Sequence, residues 1–235
     1  MPDRASTRTK AKTPGSRAGK RADHLDVARA KILAAALPNV TFDGWTTHLL
    51  ANAAKEAGIS HGEMRLAFPG GVLDLVDCFL ADGDRRMEEA LGERDLAALK
   101  IRERITLAVR TRIEVDAAHR EAVRRAVTIF SLPTSGTYGP RALYRTVDAI
   151  WRAVGDTSTD FNFYTKRAIL AGVYSAVTLH WFADQSEDYA ETWSFLDRRI
   201  DDVMRIEKVK ASVKKATNWL PDPVGLLGRL RYGRG

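Results

Sequence analysis

A single cysteine, Cys78, stands among 235 residues, so no internal disulfide can form and a reducing compartment is expected. Long hydrophobic runs are missing too. The most apolar stretch, Ile169 to Phe182, carries Tyr174, Ser175, Thr178 and His180, and is too short and too polar to span a bilayer. No secretory signal is visible, and a soluble protein is expected. The motifs of chemistry are absent: no HExxH, no paired cysteines, no Glu-x-x-His, no P-loop and no dinucleotide fingerprint. His24, His48, His61, His119 and His180 are scattered, and His180 beside Trp181 reads as a satisfied core histidine. Cys78, inside LVDCFL, reads as an inert buried thiol, and helix capping accounts for Asp156 and Asp160. No catalytic residue, no metal site and no cofactor is therefore expected.

Helical periodicity is what the chain has in quantity. Hydrophobic residues make up 45% of it, enough for one good core, and Ala, Leu, Arg and Glu recur at 3.6-residue spacing while strand signals are scarce. The class is all-α. The net charge of +7 is unevenly placed: residues 1–22 and 208–235 each hold seven Lys or Arg against one Asp, so the stretch between them is acidic. Basic ends on an acidic body suit contact with anionic lipid or nucleic acid through the tails, not a DNA-binding core.

Four regions follow. Residues 1–22 lack Leu, Ile, Val, Phe, Trp and Tyr and are read as disordered. They also lack the apolar helical face of a transit peptide, so a bacterial cytoplasmic protein is expected, peripherally associated with the inner membrane. Residues 23–92 hold a first helix ended by Pro38, a turn FDGWT with Phe42 and Trp45 as buried plugs, a helix stopping at Gly58, a short helix capped by Ser60, and a longer one from Gly71 to Leu91. Residues 93–207 are further helices around a core. Residues 208–235 interleave Lys208, Lys210, Lys214 and Lys215 with Val209, Val213, Trp219 and Leu220, then add Leu226, Leu227 and Leu230 with Arg229 and Arg231 beyond two prolines. That pattern suits a segment lying in a membrane interface, or a terminal helix docked on the bundle.

The stretch Thr157 to Asp184 organises the second half. Thr157 and Asp160 form a capping box, and the helix behind them is apolar on two opposite faces. Phe161, Ala168 and Gly172 are assigned to the bundle, with Tyr164, Ser175 and Leu179 on the same side. Leu170, Val177 and Trp181, on the side of Phe163, are candidates for a cavity wall.

Two resemblances become specific at this point. Ala53, Ala54, Gly58, Ile59, Ser60, Gly62, Met64 and Phe68 are similar to the scaffold of a TetR-type helix-turn-helix. The DNA-reading positions differ, holding Glu63, Arg65, Leu66 and Ala67, so the motif is degenerate and no specific nucleic-acid site is expected. FDGWT, GDTSTDFNFYTKRAIL and ETWSFLDRRI, over residues 25 to 208, resemble the Coq-nine family of ubiquinone-biosynthesis accessory proteins. The resemblance implies a TetR-like fold and an apolar cavity for isoprenoid or quinone lipid, with Leu170, Val173, Val177, Trp181, Trp193 and Leu196 on its wall. It implies a homodimer, a basic amphipathic C-terminal segment meeting the membrane through Lys214, Lys215, Trp219, Leu220, Leu226, Leu227 and Leu230, and a partner, the demethoxyubiquinone hydroxylase. Ile150, Trp151, Phe163, Tyr164 and Arg167 are its implied docking patch. The alternative is a ligand-responsive TetR-type regulator with the same fold and pocket.

Overall fold

The computed structural model describes residues 15–156 and 161–217, and every regular element among them is helical. The chain divides into two compact units that alternate along the sequence, residues 1–87 with 114–146 and residues 88–113 with 147–235. The sequence reading instead divides the helical body once, between residues 92 and 93, and sets residues 1–22 and 208–235 apart as tails.

In the first unit, α1 (Gly15–Ala36) packs against α3 (Thr47–Glu56) and α4 (His61–Ala67). Helix α1 starts at Gly15, so residues 15–22 are helical where disorder was expected. Arg, Ala and Lys are good helix formers, and the apolar face of Ala28, Ile32, Leu33 and Ala36, all buried, gives the helix a docked end from which to extend. The Thr46 hydroxyl accepts from the Leu49 N–H at 3.1 Å and caps α3. Gly58, at φ 69°, ends it: its N–H bonds the Lys55 carbonyl at 3.1 Å and the Ile59 N–H the Ala54 carbonyl at 2.8 Å. Ser60 caps α4 in the same way as Thr46 caps α3, through the Glu63 N–H.

The FDGWT turn is only half as expected. Trp45 is buried, donates to the Ala122 carbonyl of α7 (Arg120–Phe130) at 3.0 Å and lies 5.3 Å from Phe79. Phe42, on the four-residue helix α2 (Val40–Asp43), is 84% exposed instead of plugging the core. One turn of helix there points its side chain outward, and Val40 takes the buried position.

A polar seam joins α5 (Val72–Gly92) to α8 (Tyr138–Ala153). Tyr138 donates to Asp74 at 2.6 Å, Arg145 meets Asp77 at 2.7 Å, and Asp84 accepts from Thr146 at 2.7 Å. Gly139 is required at the start of α8, because a Cβ there would stand 2.6 Å from the Phe130 carbonyl oxygen. Cys78 is half-buried within α5, and burial pushes its thiol up to about 11, which keeps it protonated and unreactive.

The second unit contains most of α6 (Ile101–Glu114), the end of α8, α9 (Phe161–Ala183) and α10 (Ala190–Thr217). Helix α6 begins only at Ile101, because residues 94–99 form hydrogen-bonded turns. Helix α9 packs against α10, and the corner between them is fixed by Asp184, which accepts from the Ser186 N–H at 2.8 Å, the Thr192 N–H at 2.8 Å and both hydroxyls. Burial would raise its carboxyl; these four donors outweigh that and hold it well below the usual carboxylate range. Helix α10 continues to Thr217, past the expected region boundary at residues 207 and 208, so Lys214 and Lys215 lie within it. Trp219, Leu220, Leu226, Leu227 and Leu230 lie outside the described residues, as does the Thr157–Asp160 capping box. No described helix is long and apolar enough to cross a membrane.

Candidate functional site

Helix α8 ends at Gly155, at φ 83°, where the Gly155 N–H bonds the Arg152 carbonyl and the Asp156 N–H the Trp151 carbonyl, both at 3.0 Å. This turn delivers Asp156 to α9. Lys166 Nζ lies 3.0 Å from one Asp156 oxygen and Arg167 Nη1 3.4 Å from the other, while Arg167 also meets Asp148 at 2.8 Å. The Arg167 guanidinium stacks 3.4 Å from the Phe163 ring centroid. One buried arginine thus ties α8, the turn and α9 together.

Beside this corner is a hollow of about 430 Å³, within the ~300–1,000 Å³ common for small-molecule sites. Its apolar walls come from four places: Ile101 and Ile105 of α6, Trp151 of α8 with Val154 just past its end, Ile169, Leu170 and Val173 of α9, and Ile200, Val203 and Met204 of α10. Arg102, Arg104, Thr165, Lys166 and Asp156 add polar groups, and Lys166 Nζ stands 5.4 Å above the Trp151 ring. Ile101 and Met204 are exposed, so the hollow reaches solvent on the side of α6 and α10. The arrangement suits retention of an apolar molecule. Among the described residues no cluster of His, Cys, Asp and Glu could hold a metal ion.

The expected site residues separate in this geometry. Leu170 and Val173 line the hollow, whereas Val177, Trp181 and Leu196 are packed in the core away from it. Trp193 is half-buried, donates to the Asp188 carbonyl at 2.8 Å and carries Arg110 at 4.7 Å over its ring. The assignment of faces on α9 is reversed: Ala168 and Gly172 are exposed, and the side of Leu170, Val177 and Trp181 forms the core, because the large residues bury the most apolar surface.

Of the docking patch, Ile150 is fully buried and Arg167 is spent on Asp148 and Asp156, so neither offers surface. Trp151 turns to the hollow. Phe163 is half-buried beneath Arg167, and Tyr164, 68% exposed, meets Phe163 edge-on at 5.1 Å. Sequence reasoning missed Ile101, Ile105, Ile169, Val203 and Met204 as lining residues. They carried a signal only as apolar positions of three separate helices, and nothing local says that those positions converge.

The model of the COQ9 family matches residues 137–207, which include all of α8 and α9 and much of α10. The chain is 34% identical over 205 residues to the rat protein named "Ubiquinone biosynthesis protein COQ9, mitochondrial", a match covering 84% of this chain and 65% of that one. For the human protein of the same name the figures are 33%, 84% and 64%, and for that of Drosophila melanogaster 29%, 83% and 60%. The chain thus spans just under two thirds of the length of these relatives. A solved structure, the TetR transcriptional regulator from Nitrosomonas europaea ATCC 19718, superposes with a TM-score of 0.59 at 20% identity, covering 74% of this chain and 95% of that one. The fold is therefore TetR-like and all-α. The expected placement in a bacterial cytoplasm is corrected by the same relatives, which are named as mitochondrial proteins of eukaryotes. Its ground had been the missing apolar face in residues 1–22, and 1–14 of these lie outside the described residues. By sequence the chain is similar to the COQ9 family, whose named members are ubiquinone biosynthesis proteins.

Proposed function

We propose that the chain is a non-catalytic accessory protein of ubiquinone biosynthesis that binds an isoprenoid or quinone lipid and presents it, as a homodimer at a membrane surface, to the demethoxyubiquinone hydroxylase. The observation that carries this reading is the apolar hollow walled by α6, α8, α9 and α10. An isoprenoid tail is expelled by water, and an enzyme acting on its head group is served by a protein that shelters the tail. Two further features support the reading. Helix α10, which supplies Ile200, Val203 and Met204, runs on through a lysine-rich stretch suited to anionic lipid. On α4 the carboxylate Glu63 lies 2.7 Å from His24, and a carboxylate on that helix disfavours DNA phosphates.

Native mass spectrometry of the gently purified protein tests the binding. Bound lipid is expected on the wild type and should be lost from Val203→Trp, whose half-buried wall position lets the larger ring fill the hollow without unfolding the chain. Empty wild-type protein would sink the reading. For the partner, Tyr164→Lys is the sharper probe, since Phe163 is occupied by Arg167: hydroxylase co-purification should fall while the melting temperature stays put.

A further inference from the structure

The hollow has four charged side chains on its lining, Arg102, Arg104, Asp156 and Lys166. Counted alone they make it cationic, apparently a fit for a phosphate or carboxylate head. Their partners reverse that. Arg102 Nη2 stands 2.5 Å from Asp201 and Lys166 Nζ 3.0 Å from Asp156, which Arg167 also contacts. Arg104 keeps its charge, but each of its nitrogens donates to a main-chain carbonyl: Nε to Leu99 at 2.8 Å, Nη2 to Ala97 at 3.1 Å and Nη1 to Val154 at 3.4 Å. An entering anion must give up its own water and then draw a cation away from an existing partner, exchanging one pairing for another. An uncharged head group loses less water and disturbs no pair.

We propose that the hollow selects an uncharged lipid, an isoprenoid ending in an alcohol or a neutral ring, against the corresponding phosphate or diphosphate, and that Asp201 is a specificity-determining residue. This rests on reading the hollow as a lipid site. Asp201 acts by neutralising Arg102, the lining cation that adjoins the exposed Ile101. Both members of the pair are partly exposed and screened by water, so its loss leaves the fold intact.

The test uses two probes with one tail, geranylgeraniol and geranylgeranyl diphosphate, titrated below their micellar concentrations into the full-length protein and read by the quenching of Trp fluorescence. The wild type should bind the alcohol at least about tenfold more tightly, a difference of roughly 1.4 kcal/mol. Asp201→Asn should raise affinity for the diphosphate about tenfold and leave the alcohol within about twofold, and adding Arg102→Gln should cancel the gain. A wild type that binds the diphosphate as tightly as the alcohol overturns the selectivity while the lipid site stands. An Asp201→Asn variant with no gain overturns the role of Asp201. If neither probe binds, the hollow is not a lipid site, and this inference falls with it.

Discussion

The two sides of α9 are both apolar in sequence and opposite in fate. One presents Leu170, Val173, Val177 and Trp181 to the interior; the other leaves Tyr164, Ala168, Gly172 and Leu179 exposed on the single chain. The difference is size. Burying a large side chain removes more apolar area from water, at about 25 cal/mol per Å², so the side with Trp181 turns in, and the side on which Ala168 and Gly172 stand between Tyr164 and Leu179 is left outside. Periodicity alone weighs every apolar residue equally, and for that reason it allotted Ala168 and Gly172 to the core and Trp181 to a cavity.

That comparison can be broken most directly at its centre. Trp181→Ala should cost about 3–5 kcal/mol in urea denaturation, as deletions of buried aromatics do. A loss below about 1 kcal/mol would mean that the inner side is not the core. Next in size is Arg167→Met, which leaves Asp148 and Asp156 short of their buried partner; about 3 kcal/mol should be lost, since breaking a buried pair strands a charge.

Asp184 should matter less and in a pH-dependent way. Its carboxyl is held low in the folded state, so its contribution is present above the ordinary carboxylate range, near pH 4, and is lost as pH falls through the depressed value. Asp184→Asn should cost about 0.5–2 kcal/mol at neutral pH and flatten the acid limb of a stability-against-pH curve. An unchanged acid limb would show that the corner between α9 and α10 is held by other means. The smallest effect is expected outside: Leu179→Ala, at a residue 59% exposed, should stay within about 0.5 kcal/mol. A larger loss that grows on dilution would instead show that a second copy covers this side, which sharpens the homodimer proposal.

Local chemistry was legible in the sequence. The cap at Ser60 and the stop at Gly58 follow from groups within a few residues of one another, the burial of Trp45 from its size, and the helical class from periodicity. Phe42 was misplaced because a four-residue helix offers too little periodicity to aim it. The hollow was half legible: Leu170 and Val173 were expected on a cavity wall, Trp151 was expected at a docking surface, and Ile105 and Val203 drew no site assignment. Asp156 was read as a cap, whereas its contacts run to residues ten and eleven positions on, Lys166 and Arg167. Contacts made across a turn depend on where that turn sends the chain, and the Gly155 conformation decides it.

The alternation of the two units along the chain sets an order on its birth at the ribosome. Residues 88–113 emerge well before 147–235, the rest of their own unit. At about 5–20 residues per second, Val109 and Ile113 of α6 wait several seconds, up to on the order of ten or more, before the helices that complete their core are made. The unit that holds the hollow is thus the last to close, and during that interval α6 is the segment a chaperone has most reason to hold.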